Sequence, residues 1–334
     1  MKKFLSMIAA VSLLAASLSA CGASSTTSTT AAAESGKEYK VAIVQQLDHA
    51  SLDEIRVAIE AELEAKAAEK GIAIAYKDFN GQNDATVLNQ IGAQVVSDGY
   101  DAIIPIATLA ATTMATATED NQIPVIYAAI SDPGEAQLTG IANVTGTSDA
   151  LNTPFILDMM LKANPDIETV GLLYSNSEAN SVTPIREAKE YLDSKGIAYL
   201  EKTGNTTDEI LTAASAMVGR VQAVFTPTDN VVMAAASAVA EILNEAGIPH
   251  YTGADSFVTA GAFATCGVNY TDLGAKTADL AYSAITDGMD AMEDYYLMDG
   301  GIITVNTDTA AAMSLDYSCF DSMGTVVEVT TTKD

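Results

Sequence analysis

VAIVQQ at residues 41–46, LDEIRVAIEAELEAKAAEK at 52–70, then Gly71 and IAIAYK at 72–77 set the pattern for the whole chain. The two short runs are dense in Val and Ile. The stretch between them places Leu52, Ile55, Ile59 and Leu63 at helical spacing. The rhythm continues with a helical segment from Ala85 to Ser97 and strand candidates Ala102 to Ile106 and Val125 to Ile130. A second series follows: strands Val170 to Tyr174, Ala198 to Lys202, Ala223 to Thr226, His250 to Gly253 and Ala262 to Val268, with helices Thr153 to Lys162, Thr183 to Lys195 and Val231 to Ala246. Strand and helix in strict alternation predict parallel sheets covered by helices on both faces.

The punctuation agrees. Gly71, Gly196 and Gly247 each stand one residue before a new strand, as helix stops do. Ser51-x-x-Glu54 and Thr206-x-x-Glu209 read as capping boxes, and Pro184 at a first helical position makes Thr183 a cap. The two series divide near Thr147 to Asn152, and a late helix (Asn269 to Gly288) and strand (Gly301 to Thr307) are too little for a third domain. The expected fold is α/β: two doubly wound parallel-sheet lobes joined by a multi-strand hinge near Thr147, Asn269 and Gly301. Residues 38–147 plus 272–300 are assigned to the first lobe and residues 148–271 plus 301–334 to the second.

The front of the chain is of another kind. Lys2-Lys3, an uncharged apolar run from Phe4 to Leu18 and small residues after it read as an export signal over residues 1–20, shorter than a membrane span. Leu18-Ser19-Ala20-Cys21 resembles the lipobox of bacterial lipoproteins, which implies cleavage before Cys21 and its acylation. Residues 21–37, rich in Ser, Thr, Ala and Gly, read as a tether that lacks the apolar content to fold. The expected location is extracytoplasmic, anchored at Cys21.

With 16 basic and 44 acidic residues the chain has a formal charge of −28, which excludes a nucleic-acid partner. G-x-S-x-G, H-E-x-x-H, G-x-G-x-x-G, Walker A and C-x-x-C are all missing, so no enzyme, cofactor or metal site is indicated. His49 and His250 lie far apart without neighbouring ligands at helical spacing; His250 reads as structural, whereas His49 sits in a strand-end loop. Cys266 and Cys319 leave two readings open, a bridge favoured by an oxidising compartment or a free thiol packed in a strand.

In open parallel sheets ligands bind beyond the carboxyl ends of the strands. The loops there carry His49, Ser51, Leu52, Thr108, Leu109 and Ser131 in the first lobe, and Asn180, Ser181, Asp229, Asn230, Asp255 and Ser256 in the second. Such residues are also ordinary helix caps. Capping is the better reading for Ser51, and Asp229 and Asp255 stand evenly between capping and binding. Only Arg56, Arg186 and Arg220 exist and none lies in these loops, which disfavours an anionic ligand. A zwitterion fits, its carboxylate near Thr108 or Ser181 and its ammonium on Asp229 or Asp255. An aromatic side chain would need an apolar slot, for which Leu52, Leu109 and Tyr127 are candidates, Tyr127 reading equally as core.

Several strings resemble the ABC transporter substrate-binding lipoproteins of the tryptophan/tyrosine-binding type, which have the type I periplasmic-binding-protein fold. They are VAIVQQLDHASLD (41–53), Gln90-Ile91, IATLAA (106–111), Ser131-Asp132-Pro133, NVTGTSD (143–149), YSNSEANS (174–181) and PTDN (227–230), within a resemblance running from Lys40 to Ala311. The family usually has Pro where Ala50 stands, and the tail after Thr307 departs from its pattern. The resemblance implies a non-catalytic receptor that holds an amino acid or similar small zwitterion, aromatic in that group, between hinged lobes and presents it to the transmembrane subunits of an ABC permease. Rival readings are a sugar, nucleoside or signal-molecule receptor on the same fold, and a secreted hydrolase using paired carboxylates.

Overall fold

The computed structural model describes residues 38–332. The export signal, the tether and Cys21 lie outside the described residues. In chain order the first segment contains β1 (Glu38–Gln45), α1 (Ala50–Lys70), β2 (Ala73–Asn80), α2 (Ala85–Ser97), β3 (Ala102–Ile106), α3 (Thr108–Ala117), β4 (Val125–Tyr127) and β5 (Val144–Ser148). The second contains α4 (Thr153–Ala163), β6 (Thr169–Tyr174), α5 (Val182–Lys195), β7 (Ala198–Thr203), α6 (Thr207–Ser215), β8 (Ala223–Thr226), α7 (Asn230–Met233), α8 (Ala236–Glu245), β9 (His250–Thr252), α9 (Asp255–Thr259) and β10 (Ala264–Gly267). The chain then adds α10 (Tyr270–Thr286), β11 (Tyr296–Leu297), β12 (Ile302–Asn306), α11 (Thr307–Met313) and β13 (Val326–Val329).

Two sheets result, in strand orders β11-β5-β4-β3-β1-β2 and β13-β12-β10-β9-β8-β6-β7. The pair β10 and β12 is antiparallel, and the other described pairs are parallel. The chain passes between the sheets three times: after β5, between β10 and α10, and between β11 and β12. This is the expected α/β class, two parallel-dominated sheets joined by several strands.

Local signals explain most elements. In α1 the residues Leu52, Ile55, Ile59 and Leu63 form the buried stripe, and α10 packs against it so closely that a Cβ on Gly274 would come within 2.6 Å of the Ile55 carbonyl oxygen. Gly71, Gly196 and Gly247 adopt φ of 65°, 70° and 67°, the left-handed conformation that ends a helix. At the start of α6 the Thr206 hydroxyl accepts from Glu209 N–H (3.3 Å), while the Glu209 carboxylate turns to Asn205 N–H (2.7 Å).

Other expectations need correction. Ser51 is not a cap: α1 begins at Ala50 with His49 as its uncapped N-cap, and the Ser51 hydroxyl meets that of Ser256. Thr183 is not a cap either, because α5 begins at Val182 and the Thr183 hydroxyl donates to Asp132 Oδ2 (2.7 Å). The segment from Val231 to Ala246 forms two helices parted at Ala234 and Ala235, with no Gly or Pro to mark the break. Strand β4 ends at Tyr127, short of Ile130, since Ala129 turns the chain with φ 58°. Strands β5, β11 and β13 went unanticipated. The two described cysteines are free thiols; Cys266 is buried in β10, which settles the open pairing against a bridge.

Candidate functional site

Where the carboxyl ends of the two sheets face each other, the polar loops interlock. Besides Ser51 with Ser256 and Thr183 with Asp132, the Ser131 and Thr228 hydroxyls are 2.9 Å apart, His49 Nε2 lies 3.0 Å from Asn230 Oδ1, and Gln46 Nε2 donates to Glu178 Oε1 (3.3 Å). The cleft closes over a cavity of about 30 Å³, room for a water or two rather than an amino acid. His49, Ser51, Leu52, Thr108, Ser131, Asn180, Asp229 and Asn230 line it, eight of the twelve ligand-contact residues expected from sequence. Leu109, Ser181, Asp255 and Ser256 do not. Leu109 donates its N–H to Gln46 Oε1, the Ser181 hydroxyl is engaged with Asp229, the pKa of Asp255 is raised by burial and by the charge of Glu54, and Ser256 serves the clasp with Ser51. Tyr127 is core, fully buried, and its hydroxyl donates to the Asp294 carbonyl.

Sequence reading missed Asp149, Thr228, Ala107, Ala129 and the apolar wall of Met233, Ala254, Phe257 and Tyr270. Asp149 was findable by the strand-end rule, had β5 been recognised. Ala107 and Ala129 are non-glycine residues held at φ 75° and 58°, and both line the cavity. Such strain gathers where a site demands it. At Ala107 it ends β3 and aims the first turn of α3 at the cavity. The N-caps of α1 and α3 are His49 and Ala107, neither of which provides a side-chain cap; in α3 the Leu109 amide is taken by Gln46 Oε1, and Ser51, Leu52 and Thr108 in the two first turns line the cavity.

The cavity lining contains Asp149 and Asp229 and neither Lys nor Arg. Both acids are buried, and burial raises both from the usual carboxylate range. Asp229 caps α7, its Oδ1 accepting from Val232 N–H (2.9 Å) and its Oδ2 from Ser175 N–H (2.7 Å) and the Ser181 hydroxyl (2.7 Å). The Asp149 carboxylate accepts from the Ser131 hydroxyl (2.9 Å) and the Tyr270 hydroxyl (3.1 Å), with its own backbone N–H as a further donor, which leaves it capacity for another partner. Two further buried acceptors on the wall, His49 Nδ1 and Asn180 Oδ1, have no protein partner; Asn180 is oriented by its Nδ2 donating to the Thr228 carbonyl (2.5 Å). His250 is remote and structural, its Nε2 paired with the Thr226 hydroxyl (2.8 Å).

Glu178, just outside the cavity, is pushed up to about 7, first by burial and then by the charge of Asp229. A carboxyl raised on folding holds a proton the unfolded chain releases, so its stabilising effect is full below the unfolded value near 4.5 and is lost as pH rises through 7. Urea unfolding at pH 5.5 and 7.5 should therefore show a steeper loss of stability with pH in the wild type than in Glu178→Gln, and parallel losses would contradict it.

Comparison with known proteins agrees with this architecture. The family model described as ABC transporter substrate binding protein matches residues 40–316. A tyrosine-binding protein of Clostridioides difficile (strain R20291) is 30% identical over 96% of this chain and 95% of the relative. Among solved structures, an ABC domain in complex with L-Trp from Streptococcus pneumonia has a TM-score of 0.80 at 28% identity, covering 87% of this chain and 100% of that one. The ligand-free, open structure of a substrate-binding protein with adhesive properties from Clostridium difficile has a TM-score of 0.67 at 31% identity, covering 88% and 100%. With identity and coverage so alike, the lower score against the open form fits the interlocked lobes seen here. The chain belongs to the ABC transporter substrate-binding proteins, a family of solute receptors, with the type I periplasmic-binding-protein fold.

Proposed function

We propose that this receptor captures an aromatic amino acid, tryptophan or tyrosine, outside the cytoplasm and delivers it to the transmembrane subunits of an ABC importer, held to the membrane by a lipid on Cys21. One observation carries the ligand class: a buried cavity lined by two carboxylates and two unpartnered acceptors, with neither Lys nor Arg. Such a lining calls for a cation with several N–H donors. Asp149, with lone pairs to spare, takes the ammonium in preference to Asp229. The carboxylate goes to the first turns of α1 and α3, at Ser51, Leu52 and Thr108, and the ring lies against Leu52, Met233 and Phe257. The L-Trp complex of one relative and the name of the other, a tyrosine-binding protein, favour this reading over sugars and nucleosides.

The cavity is too small for such a ligand as it stands, so the lobes part at the three crossovers and close again around it. Leu52, Ser51 and Thr108 on one lobe and Met233, Asn180 and Phe257 on the other then bridge to the same molecule, and that shared contact favours closure.

A thermal-shift screen of amino acids, sugars and nucleosides tests the proposal. A ligand present at one hundred times its Kd stabilises the folded state by about 2.7 kcal/mol. Tryptophan or tyrosine should raise the melting temperature, and indole-3-propionate, which lacks the ammonium, should do so far less. Protection by sugars alone would replace this reading.

A further inference from the structure

A chain of side chains crosses from one lobe to the other with its hydrogen-bond directions fixed from one end. Leu109 N–H donates to Gln46 Oε1 (2.9 Å), so Gln46 Nε2 points at Asn83 Oδ1 (2.9 Å) and Glu178 Oε1 (3.3 Å). The Glu178 carboxylate can only accept, and its Oε2 receives Asn230 Nδ2 (2.7 Å). Asn230 thus turns Oδ1 toward His49 Nε2, 3.0 Å away, and that nitrogen must carry the proton. Burial holds the imidazole below its ordinary pKa against the opposing pull of the Asn230 hydrogen bond, Asp53 and Asp48. A neutral ring carries one proton, so Nδ1 is a bare lone pair, buried and without a protein partner, on a side chain that lines the cavity.

We propose that Glu178 is a positioning residue which, through Asn230, fixes His49 as the Nε2–H tautomer, so that Nδ1 accepts a hydrogen bond from an N–H or O–H group of the ligand. The ligand half of the proposal rests on the amino-acid reading above; the tautomer half does not. Glu178→Gln should invert the chain from residue 178 onward. Gln46, held by Leu109, still offers its Nε2, so residue 178 answers with its amide oxygen and turns its NH₂ to Asn230. Asn230 flips, His49 Nε2 becomes the acceptor, and Nδ1–H confronts the ligand's donor.

The test is a long-range ¹H–¹⁵N spectrum of the full chain labelled with ¹⁵N-histidine, at pH 8, where Glu178 is ionised. The sequence contains two histidines, and His49→Phe identifies the pair of signals that belongs to His49. The wild type should show protonated Nε2 and bare Nδ1; Glu178→Gln should show the reverse and bind tryptophan or tyrosine about tenfold or more weakly, since a buried polar group is left unpaired. His49→Phe should weaken binding similarly, and it decides the ligand half if Glu178→Gln does not fold. Calorimetry of His49→Phe with phenylalanine and with indole-3-propionate shows whether ammonium or ring supplies the donor, since each compound retains only one of them. An Nδ1–H tautomer or an imidazolium in the wild type, an unchanged tautomer in folded Glu178→Gln, or undiminished binding by His49→Phe overturns the proposal. The expected tautomers with no aromatic amino acid bound by the wild type would instead overturn the amino-acid reading.

Discussion

Asp149→Asn is expected to weaken binding of tryptophan or tyrosine by roughly thirty- to several-hundred-fold, equivalent to about 2–4 kcal/mol for a desolvated charge pair. The carboxylate sits at the end of β5, buried, and accepts from the hydroxyls of Ser131 and Tyr270. Its surroundings push its pKa up, chiefly by burial, so the ionised form is costly until an ammonium arrives. The Asn variant keeps an acceptor for one hydroxyl and removes the charge, so the folded protein should be no less stable than the wild type. Calorimetry with an amino acid and its deaminated analogue makes the decisive comparison. The amino acid should lose most of its affinity and the analogue little, and equal losses would assign the ammonium elsewhere. Asp229→Ala should instead act mainly on stability, because it removes a cap and strands the Ser175 amide and Ser181 hydroxyl.

Gly146→Ala should be the most damaging single methyl group in the first sheet. Gly146 lies opposite Tyr127 in the parallel pair of β4 and β5, and both residues are buried. A Cβ there would stand 2.5 Å from Tyr127 Cγ and nearer still to its Cδ2 and carbonyl oxygen. The backbone oxygen cannot swing aside, and the ring is enclosed in the core formed with Val44, Ile103, Ala111 and Leu138. Overpacking of this kind costs about 3 kcal/mol or more. Urea unfolding should show that loss, and because β5 carries Asp149 and pairs with β11, ligand affinity should fall with it. A variant of wild-type stability would show that the sheet can part at this register without penalty.

The same strand shows where local reading stops. VTGTS at 144–148 has one strong apolar residue and one glycine, so nothing in its own composition announces a strand, yet all five residues are buried between β4 and β11. Its burial is imposed by neighbours on both sides. Missing β5 hid Asp149, the one cavity carboxylate with lone pairs to spare. The helix stops at Gly71, Gly196 and Gly247 were legible because a left-handed residue is a property of the single position. The contrast between Ser51 and Thr206 is equally instructive, since both open an S/T-x-x-E string. Thr206 caps its helix, whereas α1 starts one residue before Ser51 and releases that hydroxyl to clasp Ser256, 205 residues away.

The sequence by itself determined the alternation of strand and helix, the two series that become two sheets, the acidic character and the set of loops that meet in the cleft, because propensity, periodicity and turn chemistry act over a few residues. Tertiary structure alone decided which polar groups in those loops face the cavity and which bind one another. A hydroxyl or carboxylate carries the same letter whether it caps a helix, bridges two lobes or waits for a ligand, and only the partners brought to it by folding, Asp229 with its amides or Asp149 with its open lone pairs, fix its role.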